Sequence, residues 1–228
     1  MSYILSVKNL TVKLDKVEIL KNLSFNIRKG EIWTILGPNG AGKTVLLKTL
    51  LGIFSYEGEI KWAKGIRIGY VPQRLPFIKL IPMTVLEFFK LKNISKDKTK
   101  EILNLLGIKN LLNQRIDYLS SGQFQRILVG WALSKDPDIL LFDEPFSGID
   151  LAGQKSIYNL LEELNKKKRL TILLVSHELS IVFKISTHVL CLNRKIICHG
   201  QLKEVLTPEN LAKLYGGRIK FHKHIYKS

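Results

Sequence analysis

Residues Gly37 to Thr44 read G-P-N-G-A-G-K-T, which fits the G-x-x-x-x-G-K-[ST] pattern of a phosphate-binding loop. Each residue type has a task there. Gly37, Gly40 and Gly42 let the chain turn tightly and bring backbone N–H groups onto phosphate oxygens. Pro38, Asn39 and Ala41 complete the loop between them. The N-terminus of a following helix adds partial positive charge. Lys43 is placed to reach the β- and γ-phosphates, and the Thr44 hydroxyl to coordinate Mg²⁺. A second group lies downstream, where Ile139-Leu140-Leu141-Phe142 runs into Asp143-Glu144. Two carboxylates straight after an apolar strand need a reason. Beside a phosphate loop, Asp143 can hold Mg²⁺ through water and Glu144 can polarise an attacking water as general base.

The surrounding pattern predicts the elements that position these groups. Tyr3–Val12, Val17–Ile27 and Glu31–Leu36 read as strands. The phosphate loop follows the third, and Val45–Leu51 behind it reads as a helix. Short strands are expected near Glu59–Trp62 and Ile66–Val71. The pattern turns helical from Pro82 to Leu119, with Thr84–Leu91, Lys98–Leu106 and Leu111–Asn113 as candidates, and Ser121–Leu133 is a further helix. Asp138–Phe142 and Leu170–Ser176 are continuous apolar runs of strand length, as buried parallel strands require. Helices Leu151–Lys166 and Glu178–Ile185 alternate with them. The expected class is α/β: a mostly parallel core, an N-terminal antiparallel β part and a helical insert.

Composition narrows the class further. The chain has 228 residues, 46% of them hydrophobic, enough for one α/β domain with a core. No apolar run reaches the eighteen or so residues that span a bilayer. Lys8, Lys13 and Lys16 interrupt the N-terminus before a signal-peptide core forms, so a cytosolic chain is expected. The net charge is +17. Nucleic-acid binders carry such an excess, but they cluster it and favour Arg. Here Lys is spread along the chain, and the densest run, Lys166–Arg169, ends a predicted helix where cations suit the dipole. No nucleic-acid partner is expected; weak attraction to an anionic membrane leaflet is a by-product of the charge. Cys191 and Cys198 flank a hairpin turn at Asn193-Arg194. A two-residue turn would not set them directly opposite, and they are expected to be reduced thiols in strands.

Leu119 to Gln123 read L-S-S-G-Q. Together with Gly37–Thr44 and Asp143–Glu144, this peptide makes the chain resemble the ATP-binding subunits of ABC transporters over almost all its length. The resemblance implies a single ABC ATPase domain over residues 1–228, with a helical subdomain at approximately 82–134. It implies ATP and Mg²⁺ as ligands, with Thr44, Gln73 and Asp143 around the metal. Gln73 matches the glutamine that contacts Mg²⁺ and senses the membrane subunit, and Ser147–Asp150 resemble the D-loop. His177 matches the switch histidine at the γ-phosphate. Ser120, Ser121, Gly122 and Gln123 belong to the signature helix. In a head-to-tail dimer its N-terminus would cap the γ-phosphate held by the other copy's Lys43.

Ser121 stands where the family pattern has Gly. Val45 stands where a second hydroxyl is usual, and Leu14 where many members stack an aromatic ring on adenine. The last two imply weaker nucleotide binding.

Stretches around Ile68–Gln73, Ile81–Val85, Gly148–Asp150 with Gly153-Gln154, and Val189–Asn193 resemble the zinc/manganese-importer branch. The implied partners are a second copy, a membrane permease and, indirectly, an external metal-binding protein. The implied location is the cytoplasmic face of the membrane, as a peripheral subunit. Arg74–Leu80 is a candidate permease contact. His222-Lys223-His224 reads as a solvated tail, since two His do not make a zinc site. An ABC ATPase for another small-solute importer, or a soluble one in cluster assembly, stays open.

Overall fold

The structure is a computed structural model that describes residues 3–73, 81–144, 149 and 151–217, with the main chain alone at 151 and 152. Arg74–Leu80, Ser147, Gly148, Asp150 and the His222–His224 tail lie outside the described residues. Two compact units emerge, one of Leu5–Asn26, Trp33–Lys61 and Ser176–Ser228, the other of Met1–Ile4, Ile27–Ile32 and Trp62–Val175.

In the first unit, strands β1 (Tyr3–Leu14) and β2 (Val17–Arg28) form an antiparallel hairpin, and β1 also pairs with β4 (Glu57–Trp62). The hairpin loop is Asp15-Lys16, both at positive φ, 47° and 67°. This two-residue geometry matches the twist of the flanking strands. Strand β3 (Ile32–Leu36) is buried at every residue and pairs in parallel with β8 (His188–Asn193). β8 pairs antiparallel with β9 (Lys195–Gln201). Helix α1 (Lys43–Leu50) follows the phosphate loop, and α6 (Leu179–Ile185), α7 (Leu202–Val205) and α8 (Pro208–Tyr215) complete this unit. Val182, Cys191, Leu202, Leu211 and Leu214 share one buried cluster.

In the second unit, β5 (Ile68–Val71), β6 (Ile139–Asp143) and β7 (Thr171–Ser176) pair in parallel in that order. Every residue of β6 and β7 is buried, as the unbroken apolar runs require. The helices are α2 (Val85–Lys90), α3 (Lys96–Leu105), α4 (Ser121–Leu133) and α5 (Leu151–Lys168). Thr84 and Glu87 close a reciprocal cap on α2, and Ser95 caps α3.

Two expectations change. The helix expected at Leu111–Asn113 is a single 3₁₀ turn at Lys109–Leu111. The two cysteines are Cα partners, Cys191 with Cys198, because the register shifts between Cys191 and Leu192 and absorbs one extra residue in β9. Such a bulge undoes the offset that the short turn alone would impose. Both remain free thiols. Hydrogen bonding to Cys198 and burial push the Cys191 thiol well up, while Cys198 is lowered.

Candidate functional site

The phosphate loop is fixed from behind by the β8–β9 turn. Arg194 N–H donates to the Ala41 carbonyl at 3.0 Å, and the Arg194 carbonyl accepts from Lys21 N–H at 2.8 Å. A Cβ on Gly37 would sit 2.1 Å from the Leu192 carbonyl oxygen. Only glycine lets the two backbones approach this closely. Gly40 and Gly42 have φ of 77° and 92°. α1 begins on Gly42 with no side-chain cap and no acidic residue in its first turn. A first turn without an acidic side chain keeps its local charge positive, which suits a phosphate.

Lys43 is buried, 6% exposed, and its ammonium donates to the carbonyls of Gly37 (2.8 Å) and Pro38 (3.0 Å). Thr44 and Val45 follow it, both half-buried. Asn39 and Gly40 are exposed, and Leu14 is half-buried at the end of β1. His177 is exposed directly after β7, where the Ser176 hydroxyl accepts the Glu178 N–H at 3.0 Å.

In the other unit, Asp143 ends β6 and is only 3% exposed. Glu144 follows at φ 48°. Gln73, exposed two residues past β5, donates from Nε2 to Glu144 Oε2 at 3.1 Å. Tyr70 on β5 donates its hydroxyl to the Asp143 carboxylate. Burial first, then the Asp143 charge and this hydrogen bond, push the Tyr70 phenol up to about 12, so it keeps its proton. Neighbouring strands thus join at both carboxylates. The Gln73–Glu144 contact brings together two residues that the sequence singled out. Tyr70 was not among them, although its place in Ile68-Gly69-Tyr70-Val71 carried the signal: a polar ring in a strand that pairs with the carboxylate strand.

The 119–123 peptide opens α4 as expected. The Ser120 hydroxyl accepts the Gln123 N–H at 3.2 Å, and the Gln123 side chain accepts the Ser120 N–H at 3.0 Å. With exposed Ser121 and half-buried Gly122, these two capping residues line a cavity of about 460 Å³. Gly107, Ile108, Arg126 and Ile149 also line it. Arg126 pins the start of α4, donating to the Leu106 carbonyl at 3.1 Å and to the Ser156 hydroxyl. Among the described residues no group of three or more His, Cys, Asp or Glu could hold a metal ion, and no helix is long and apolar enough to cross a membrane.

The sequence profile of the ABC transporter family matches residues 20–147. A "probable metal transport system ATP-binding protein" of Thermotoga maritima is 42% identical over 219 residues, covering 93% of this chain and 90% of its own. A zinc import ATP-binding protein of Ehrlichia chaffeensis is 38% identical, covering 94% and 90%. Among solved structures, an inward-facing ABC transporter assigned to the metal-chelate type matches with a TM-score of 0.83 at 31% identity, covering 94% of this chain and 89% of that one.

Proposed function

The chain belongs to the ABC transporter family as an ATP-hydrolysing subunit, and on that premise we propose that it powers import of a divalent metal ion, zinc, through a membrane permease. The observation that carries the ATPase part is the pairing of an uncapped, glycine-built loop around buried Lys43 with a separate helix start at Ser121-Gly122 that opens on a cavity. The loop binds a triphosphate, and the helix start offers an anion site whose Ser121 and Gly122 line that cavity. In a head-to-tail dimer each copy's α4 start caps the γ-phosphate held by the other's loop, with Asp150 beside it. The names of the relatives from Thermotoga maritima and Ehrlichia chaffeensis support the metal as cargo.

The roles follow from the chemistry of each group. Lys43 and the N–H groups of Gly40, Gly42 and α1 draw charge from the β- and γ-phosphates. Leu14 and Val45 contact the nucleotide with aliphatic carbon only. Thr44, Gln73 and Asp143 would hold Mg²⁺; all three offer hard oxygen donors. Gln73 commits its amide nitrogen to Glu144, which leaves its oxygen as the ligand end. Bound there, the ion neutralises phosphate charge. Glu144 accepts a proton from the attacking water as the water oxygen bonds the γ-phosphorus and the bond to ADP breaks. His177 stabilises the departing γ-phosphoryl oxygens.

The subunit works at the cytoplasmic face of the membrane, peripheral to its permease, and an external metal-binding protein supplies the cargo. Cells lacking the chain are expected to grow poorly when zinc is chelated and to recover when zinc is restored. Rescue by manganese alone moves the cargo within the branch. Growth indifferent to both metals, with the chain soluble and free of any permease, overturns the importer assignment.

A further inference from the structure

We propose that Tyr70 is a positioning residue for the metal-nucleotide complex: its hydroxyl fixes the Asp143 carboxylate in the orientation that receives the cation. This rests on the proposed role of Asp143.

Three observations meet at this residue. First, register. Tyr70 is the Cα partner of Leu141, and Val71 of Phe142. Partners in a ladder share a face, and side chains alternate along a strand. Tyr70, Leu141 and Asp143 therefore lie on one face, with the ring one diagonal step from the carboxylate. The hydroxyl reaches it.

Second, rigidity. The residue before, Gly69, faces the opposite side. A Cβ there would lie 2.9 Å from the Ala132 carbonyl oxygen of α4 and 2.5 Å from Leu140 Cδ2. The strand is pressed against the signature helix on that face, so Tyr70 has little freedom to swing away from Asp143.

Third, chemistry. Asp143 is buried, and a buried carboxylate has few ways to rotate once one oxygen accepts a phenol. The other oxygen is then presented in a single direction. Groups that orient a metal ligand in this way commonly carry a 10- to 100-fold share of the metal affinity. The Gln73–Glu144 hydrogen bond does the same for the neighbouring carboxylate, so the end of β5 holds both.

The test compares Tyr70→Phe and Asp143→Asn with the native chain. Mn²⁺ serves as the probe, titrated by electron paramagnetic resonance in the presence of a non-hydrolysable ATP analogue. A fluorescent ATP analogue is titrated in EDTA, and the melting temperature is recorded. Tyr70→Phe is expected to weaken Mn²⁺ binding about 10-fold, with nucleotide affinity in EDTA unchanged within about 2-fold and the melting temperature retained. Native Mn²⁺ affinity in Tyr70→Phe, with Asp143→Asn deficient, overturns the positioning role and leaves Asp143 as ligand. Loss of Mn²⁺ affinity that is matched by lost affinity in EDTA or by a fallen melting temperature also overturns it, since that is a structural defect. Native Mn²⁺ affinity in Asp143→Asn overturns the assignment of Asp143 itself.

Discussion

Gly37→Ala tests whether the β8–β9 hairpin sets the shape of the phosphate loop. The added methyl would start 2.1 Å from the Leu192 carbonyl oxygen and 3.2 Å from Ala41 Cβ. A carbon and a carbonyl oxygen settle at roughly 3.3 Å or more, so one backbone must retreat by roughly 1 Å. The neighbouring bond from Arg194 N–H to the Ala41 carbonyl limits how far the hairpin can move alone. Overpacking of this kind costs about 1–3 kcal/mol. If the loop yields, the cost falls on ATP affinity, about 5- to 150-fold at a factor of ten per 1.4 kcal/mol. If the hairpin yields, it falls on stability, about 2–4 °C of melting temperature per kcal/mol for a chain of this size. Gly40→Ala is the control. Its φ of 77° is strained for alanine, but a Cβ there meets nothing within 4 Å, so the expected cost is the conformational one alone, about 1–2 kcal/mol. Titration with a fluorescent ATP analogue and thermal melting of both variants decide. A Gly37→Ala protein with native affinity and native melting temperature refutes the close approach.

Glu144→Gln keeps the shape of the side chain and removes the carboxylate proposed as the base. ATP-dependent dimers that do not turn over are expected by size-exclusion chromatography with phosphate release, a loss of at least about 100-fold; native turnover would remove Glu144 from that role. Val45→Thr and Leu14→Tyr, each at a half-buried position, restore a hydroxyl and a ring. Each is expected to tighten ATP binding by about 5-fold, the equivalent of about 1 kcal/mol. Unchanged affinity in both would mean that the pocket makes up those contacts elsewhere.

Much of this architecture was legible because it rests on local patterns. Ile139–Phe142 and Leu170–Ser176 announce buried strands, since an unbroken apolar run of that length has no solvent face to offer. Ser121 and Gly122, a hydroxyl and a glycine ahead of an apolar pattern, announce the start of α4. The Lys166–Arg169 run ends α5 as expected, with Lys166 and Lys167 paired to Glu162 and Glu163 one turn earlier. These are exposed pairs on a solvated face, and they contribute little to stability. What escaped depends on more than one segment at a time. Helix α8 had its own signals in the Thr207 cap, Pro208 at the first helical position and Gly216 at φ 73°, but it is short. The pairing of Cys191 with Cys198 turns on a single inserted residue, and no composition marks where a strand bulges.

The carboxylate pair shows the same division most sharply. That Asp143 and Glu144 end an apolar strand is plain from the sequence. How two adjacent residues can both bond to the same neighbouring strand segment is not. Successive side chains of a strand point to opposite faces, so an extended Glu144 would turn away from the side that Asp143 occupies. The structure breaks the alternation by placing Glu144 at φ 48°, a conformation that costs an L-residue about 1–2 kcal/mol. The strand stops at Asp143, the chain swings, and the Glu144 carboxylate comes within 3.1 Å of the Gln73 amide. Backbone strain of this sort persists where its surroundings over-determine it. Here the surroundings are the buried β6, the Gln73 amide and the Tyr70 hydroxyl. The strain therefore sits at the residue proposed as the base, and relaxing it would turn the Glu144 carboxylate away from Gln73.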